Sequence, residues 1–293
     1  MKPKIKGQNV GYIFISPLII YLFSLSIYPM IRVLYMSFFS VQPTLHAGEI
    51  FIGFENYIKV FNDPLFYISL QNTIIFVAGS VFFHLLLGLF LALLINKLTH
   101  NLFKNVCRTI ILIPIAITAV AVAWMWKMIY HPAFSFVPLI FNALNLDITW
   151  ALLAYPETAL TAVTITNIWH ATPYYMLYWL AALQSISPEI YEASEVDGAN
   201  MQQRFRYITL PQLKIFFIFF ACWDIINTFM YWDLVWVMTR GGPGYSTEIL
   251  ATYIYKQAFQ ALNFGYASAL GSVGFLVMAT VSSVLIYMMR ERG

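Results

Sequence analysis

The chain has 293 residues, 60% of them hydrophobic and only 10% charged, with a formal charge of +3 and a mean hydropathy of +0.73. A soluble domain carries about 25% charged residues, so composition excludes one and points to an all-α polytopic membrane protein. The basic residues are scattered, which implies no nucleic-acid partner, and each span needs about 20 apolar residues, which leaves room for six.

Met1 to Asn9 carries Lys2, Lys4 and Lys6 ahead of an apolar run from Val10 to about Val41, interrupted by Pro17 and Pro29. Ser24 and Ser26 offer the small-residue pair of a cleaved signal peptide. The run continues well past them, which favours an uncleaved first span. Gln42 to Tyr67 reads as an outer loop, Leu70 to Ile95 as the second span, and Asn96 to Thr109, with Lys97, Lys104 and Arg108, as an inner connection. The third span runs from Ile110 to about Tyr130 and closes on Trp124, Trp126 and Tyr130, an aromatic belt for the membrane surface. His131 to Glu157, with Pro132, Pro138 and Pro156, is a loop holding a short interfacial helix around Phe136 to Leu144. Thr158 to about Leu183 is the fourth span and Gln212 to about Thr239 the fifth. A glycine-rich loop from Thr239 to Glu248, an aromatic helix-like stretch from Ile249 to Phe264 and a sixth span from Ala267 to Met289 complete the chain. Residues 1–69 thus form the tail, first span and outer loop, 70–289 a transmembrane core, and 290–293 a tail.

Six spans place both termini on one side. The inner segments then hold Lys2, Lys4, Lys6, Lys97, Lys104, Arg108, Arg204, Arg206, Lys214, Arg290 and Arg292, whereas the outer loops hold chiefly Lys59, Arg240 and Lys256. The excess of positive charge makes that side, with both termini, cytoplasmic. Arg32 and Lys127 lie near outer ends of spans, where long side chains reach the interface. Cys107 and Cys222 fall in different segments at no metal-ligand spacing and read as packing residues.

The segment 185–212 is the longest polar stretch between apolar runs. Ser187 and Pro188 open a short helix, Asp197-Gly198 ends it, and Pro211 begins the next element. Ile190, Ala193 and Val196 recur at helical spacing opposite Glu192 and Glu195, the pattern of a docking helix. Glu192-Ala193-Ser194, Gly198 and Ile208-Thr209-Leu210-Pro211 resemble the EAA loop of permease subunits of binding-protein-dependent ABC importers, with Ser194 where a second alanine is commonest. Gly241-Gly242-Pro243-Gly244-Tyr245, Tyr253-Ile254-Tyr255, Gly265-Tyr266-Ala267-Ser268-Ala269-Leu270 and the Gly53-Phe54-Glu55-Asn56-Tyr57 loop resemble carbohydrate-uptake members of the maltose and glycerol-phosphate type.

That resemblance implies a type I ABC importer permease fold in the cytoplasmic (inner) membrane of a prokaryote. It implies ATPase coupling through Glu192, Ala193, Ser194, Asp197, Gly198 and Pro211, and transport of a sugar, oligosaccharide or related polyol. The implied partners are a second homologous permease subunit, two ATPase subunits that carry ATP and Mg, an extracytoplasmic solute-binding protein and membrane lipid. No cofactor is expected in this chain. It contains no GxxxxGK[ST], HExxH or CxxC motif, so neither catalytic residues nor a metal site are assigned.

Ionisable residues within spans are costly and mark pathways. Asp224, Asn227, Thr228 and Tyr231 are spaced to share one helical face of the fifth span, and the fourth adds Asn167, Trp169, His170 and Tyr174 around Pro173. The resemblance puts the solute path on these two segments. Accordingly Asn167, His170, Tyr174, Asp224, Asn227, Thr228 and Tyr231 are the candidate path residues, although His170 and Asp224 depart from the maltose-type pattern. Structural alternatives are a bond to the partner subunit for Asp224 and Asp233 and simple packing for His170; His84 reads as a packing or subunit-contact residue. The functional alternatives are an ion-coupled secondary carrier using Asp224 and Asp233, and a polytopic membrane enzyme. The complete coupling motif disfavours the first, and the second lacks a convergent set of nucleophile, base or ligands.

Overall fold

The computed structural model describes residues 7–41, 48–144 and 150–290. Lys2, Lys4 and Lys6, the residues after Arg290, and parts of the loops that begin at Gln42 and His131 lie outside the described residues.

In chain order, α1 (Gly7–Leu22) and α2 (Tyr28–Met36) are joined through a π-helical turn at Phe23–Ile27, so the apolar run is one rod despite Pro17 and Pro29. Strands β1 (Phe39–Val41) and β2 (Glu49–Phe51) pair antiparallel with Phe39 opposite Phe51, a small β element in a chain read as all-α. Then come α3 (Glu55–Phe61), α4 (Pro64–Lys97), α5 (Asn101–Leu112), α6 (Ala119–Ile129) and α7 (Val137–Ala143), the last at the place expected for the interfacial helix. They are followed by α8 (Pro156–Gln184), α9 (Pro188–Val196), α10 (Met201–Arg204), α11 (Leu210–Phe229), α12 (Trp232–Thr239), α13 (Leu250–Tyr255) and α14 (Phe264–Arg290).

Two expected spans are broken. The third is not a continuous helix: α5 and α6 meet at 95°. Pro114 lacks an amide hydrogen and tightens the end of α5 into a 3-10 turn, Ile117 turns extended, and Thr118 restarts the helix by accepting from the Ala121 amide at 3.4 Å. The fifth breaks at Tyr231, whose φ of −84° and ψ of 67° form an inverse γ-turn between α11 and α12. Asp233 then sits in the first turn of α12, where the helix dipole favours an acid.

By length and apolarity, the described residues supply four crossings: Phe14–Met36, Pro64–Lys97, Met201–Phe229 and Phe264–Tyr287. The bent pair makes a fifth if it is one span. The expected fourth span, α8, is not among them. Its 29 residues run through Pro173 and are long enough, but Thr166, Asn167, His170 and Thr172 lower its apolarity, and all four are buried by the protein.

The described chain forms two compact units. In the first, residues 1–66 with 254–276, Asn56 donates to the carbonyls of Ser37 at 2.9 Å and Phe39 at 3.0 Å, and Arg32 pairs with Glu49. Tyr266 donates to Asp63 at 2.5 Å while Lys59 lies over its ring at 4.4 Å. Thus the Asn56 and Tyr266 motifs, remote in sequence, brace the same unit. The second unit, residues 67–253 with 277–293, contains α8 to α12 and most of α4. Its core is aromatic: Trp179 is buried edge-on against Phe220 at 4.9 Å, and Phe76 and Met176 are also buried. Of the expected belt, Trp124 is exposed, but Trp126 and Tyr130 turn inward. They lie one helical turn apart on the face of α6 that meets α8, and Tyr130 donates to the Ala162 carbonyl at 3.1 Å.

Candidate functional site: the coupling segment and two buried polar clusters

Of the two short helices the punctuation suggests, only the first, α9, stands alone; the second is the opening turn of a long helix. Ser187 precedes α9 in an extended conformation without a side-chain capping bond, and Pro188 occupies the first turn. At the other end Gly198 takes a φ of +75°, which lets the Ala199 amide reach back to the Ser194 carbonyl at 2.9 Å and close the helix. Asn200 and Gln203 form a reciprocal capping box that starts α10. Pro211 does not begin a separate helix. A π-helical turn at Phe205–Thr209 widens the backbone just before its ring, so 201–229 is one continuous helix.

The faces of α9 follow from this frame. Tyr191 bonds Thr209 at 2.9 Å, and Ser194, buried, donates to the Tyr191 carbonyl at 2.7 Å. Ser194 therefore belongs to the inner face. Ile190, Ala193 and Val196 turn outward, Val196 being 88% exposed, alongside Glu192, Asp197 and Gly198. Glu195 pairs with Arg204 of the next helix, and Glu192 is an outward acid beside the apolar stripe. Pro211 is exposed as well.

Above this segment, the path candidates divide into two clusters. In the first, Asp224 of α11 is 1% exposed and its carboxylate meets His84 Nδ1 of α4 at 2.9 and 3.2 Å. Thr228, one turn on, donates to the same carboxylate at 2.8 Å. The other ring nitrogen of His84 faces the Asn167 carbonyl of α8 at 3.3 Å, the Asn167 amide donates to Ser80 at 2.9 Å, and Tyr175 stacks on the imidazole at 5.1 Å. His84, read from sequence as a packing or contact residue, is the hub. Its signal was a lone ionisable side chain in an apolar helix, matched by another, Asp224.

The second cluster joins the two helix breaks. His170 lies in the middle of α8 and faces the Ile117 carbonyl at 3.0 Å and the Tyr231 hydroxyl at 2.7 Å. A carbonyl only accepts, so Nε2 carries the hydrogen, and in the neutral ring Nδ1 accepts from Tyr231. The break frees the Ile117 carbonyl for this role, because the Ala121 amide has turned to Thr118. Trp126 packs edge-on against Trp169 at 5.6 Å, and no hydrogen-bond partner is found for its indole N–H among the described residues. Trp126 thus packs against α8 instead of joining the membrane belt that its sequence position suggests.

The expected common face of Asp224, Asn227, Thr228 and Tyr231 is therefore corrected. Asp224 and Thr228 turn into the first cluster, Tyr231 lies in the break with His170, and Asn227 is exposed, its amide donating to the Trp223 carbonyl at 2.7 Å. Tyr174 is also exposed, and Asn167 is buried. Asp233 accepts from the Leu234 amide at 3.0 Å at the start of α12.

Long apolar helices with a polar segment between α8 and α11 mark an integral membrane protein, and its fold is that of type I ABC importer permeases. A crystal structure of a bacterial ABC transporter involved in import of the acidic polysaccharide alginate matches with a TM-score of 0.85 at 25% identity, covering 96% of this chain and 95% of that one. The chain belongs to the family of binding-protein-dependent transport system inner membrane components, whose family model matches residues 84–292. It is 35% identical over 284 residues to the sulfoquinovosyl glycerol transport system permease of Agrobacterium fabrum, covering 97% of this chain and 91% of that one. The trehalose/maltose transport system permease of Thermococcus litoralis is 30% identical over 292 residues, covering 99% of this chain and 97% of the other. It is thus a transport component and not an enzyme.

Proposed function

We propose that this chain is a permease subunit of an ATP-driven importer that carries a sugar, oligosaccharide or related polyol across the cytoplasmic membrane of a prokaryote. The observation that carries the reading is α9: an apolar stripe of Ile190, Ala193 and Val196 with Glu192 beside it, exposed and held between α8 and the helix that becomes α11. Such a helix fits a groove on an ATPase subunit, with Glu192 available to a basic residue there. ATP and Mg belong to two such ATPase subunits, and a second permease subunit and an extracytoplasmic binding protein complete the assembly. The carbohydrate class is supported by the relatives named for sulfoquinovosyl glycerol and for trehalose and maltose.

In this reading α8 is the sixth crossing, its polar residues shielded by neighbouring helices, and both termini are cytoplasmic. The path runs past exposed Tyr174 and Asn227 and the His170–Tyr231 pair, where aromatic faces and hydroxyl partners suit sugar rings. Asn167, Asp224 and Thr228 support it from behind. The ion-coupled carrier is not favoured, since the carboxylate it needs at Asp224 is already engaged by His84 and Thr228.

Purification from its native membrane in mild detergent tests the assembly. An ATPase and a second permease should travel with the chain, and reconstituted vesicles should hydrolyse ATP faster when a binding protein loaded with an oligosaccharide or polyol is added. Purification of the chain alone, with uptake driven by a proton or sodium gradient, would overturn the reading.

A further inference from the structure

Helix α11 continues directly out of the coupling segment; it packs on α8 through Phe220 against Trp179 at 4.9 Å and meets α4 differently. Helices α4 and α8 are locked to one another. A Cβ at Gly88 would meet Tyr175 Cβ at 2.7 Å and its carbonyl carbon at 2.9 Å, so the backbones touch. Trp179 donates to the Leu85 carbonyl at 3.0 Å, and Asn167 donates to Ser80 at 2.9 Å. A close-packed seam with hydrogen bonds at several levels moves as one body.

Between α4 and α11 lies an apolar cleft of about 480 Å³, walled by Val81 and Leu85, by Ala221 and Ile225, and by Met278 and Val281 of α14. Beside that cleft, His84 and Asp224 tie the two helices. Both ring nitrogens of His84 face oxygens, one a carbonyl and the other a carboxylate, so the pair must hold one proton beyond the neutral ring and the ionised acid. With that proton the pair is neutral overall, as burial demands, and bonded on every side that faces another helix. Here α11 meets α4 through a polar joint with open apolar space next to it.

We propose that the His84–Asp224 pair is the pivot about which α11 turns against the rigid α4–α8 pair when the coupling segment is displaced. His84 and Asp224 are then positioning residues of the transport cycle, a role that rests on the importer reading above. The cleft supplies the room for the turn, and the short polar joint keeps its axis in place.

The test uses the complete assembly, permease with its ATPase and loaded binding protein, in proteoliposomes. The quantity read is solute taken up per ATP hydrolysed, measured beside the yield of assembled complex. Asp224→Asn keeps the side-chain shape and a hydrogen bond to Nδ1 but removes the charge, and His84→Gln keeps a donor to the carboxylate. Each is expected to lower the uptake ratio at least fivefold in complexes that still assemble. Ala221→Phe fills the cleft from one helical turn before Asp224 while leaving both members of the pair in the sequence, and is expected to lower the ratio likewise, by denying α11 its room. It also decides the matter if the pair variants fail to assemble. A wild-type ratio in Ala221→Phe, or uptake in the pair variants that falls only in step with assembled complex, overturns the pivot. Failure of the wild-type assembly to couple ATP hydrolysis to uptake would overturn the importer reading instead.

Discussion

Nδ1 of His84 lies 2.9 Å from Oδ2 of Asp224 although 140 residues separate them, and neither side chain is more than 2% exposed. Removing one member of a buried charged pair leaves the other uncompensated at a cost of about 3 to 5 kcal/mol, more than the pair's net worth. His84→Ala should therefore lower the stability of the purified complex by about 3 kcal/mol. The double variant with Asp224→Ala should be less damaging than His84→Ala alone, because it abandons the charge as well. Thermal unfolding in detergent gives the comparison, and a double variant clearly worse than the single one would contradict the pairing.

The close approach of Gly88 to Tyr175 predicts a sharp contrast between two glycines. A methyl group at 88 would meet α8 side chain and backbone at 2.7 to 3.0 Å, whereas one at Gly271 would meet nothing within 4 Å. Gly88→Ala should cost about 1 to 3 kcal/mol by forcing the α4–α8 seam apart. Gly271→Ala should assemble as wild type. Equal membrane levels and melting behaviour for the two variants would argue against the seam.

Gly198 sits at a φ of +75° with open space around its missing side chain. The penalty for a substitution there is conformational, about 1 to 2 kcal/mol for a residue that resists the left-handed region. Gly198→Asn should be tolerated best, since Asn enters that region readily, while Gly198→Val should distort the end of α9. We expect Gly198→Val and Gly198→Asp to leave the complex assembled and abolish solute-stimulated ATP hydrolysis, Asp by adding charge at the docking face. Full stimulation in Gly198→Val would remove this glycine from the coupling role.

Tyr231→Phe deletes the hydroxyl that meets His170 and leaves Nδ1 buried without its donor. The cost is about 1 to 3 kcal/mol, borne at the junction of α11 and α12. Uptake should fall and solute preference should shift, while solute affinity of the separate binding protein stays the same. Unchanged uptake and selectivity would take the His170–Tyr231 pair out of the solute path.

Side assignment is open to impermeant thiol labelling after Cys107 and Cys222 are replaced. Val196 and Phe134 are both well exposed, unlike the hydroxyl of Ser246 in the glycine-rich loop. Val196→Cys should label only from the cytoplasmic face and Phe134→Cys only from the opposite one. The reverse pattern would invert the topology.

Much of this molecule is written locally. Apolar runs long enough to cross a membrane, the start of α9 at Pro188, its end at Gly198 and the outward stripe of Ile190, Ala193 and Val196 all depend on residues a few positions apart. Local sterics and helical periodicity therefore settle them before any tertiary contact forms. The bend after Pro114 was equally available, since proline removes an amide hydrogen wherever it stands, but the surrounding apolar run masked it.

What only the tertiary structure decided lies in contacts across the chain. Nothing near residue 84 says that its histidine will meet Asp224, because the energy of that meeting comes from excluding water around a pair brought together by helix packing. The same holds for Tyr231: periodicity alone places it on the face of Asp224 and Thr228. The γ-turn before α12 sends it instead to His170, whose opposite nitrogen takes the carbonyl left free at Ile117. Sequence determined which side chains had to find partners in a low-dielectric interior; packing of α4, α8 and α11 determined which partners those were.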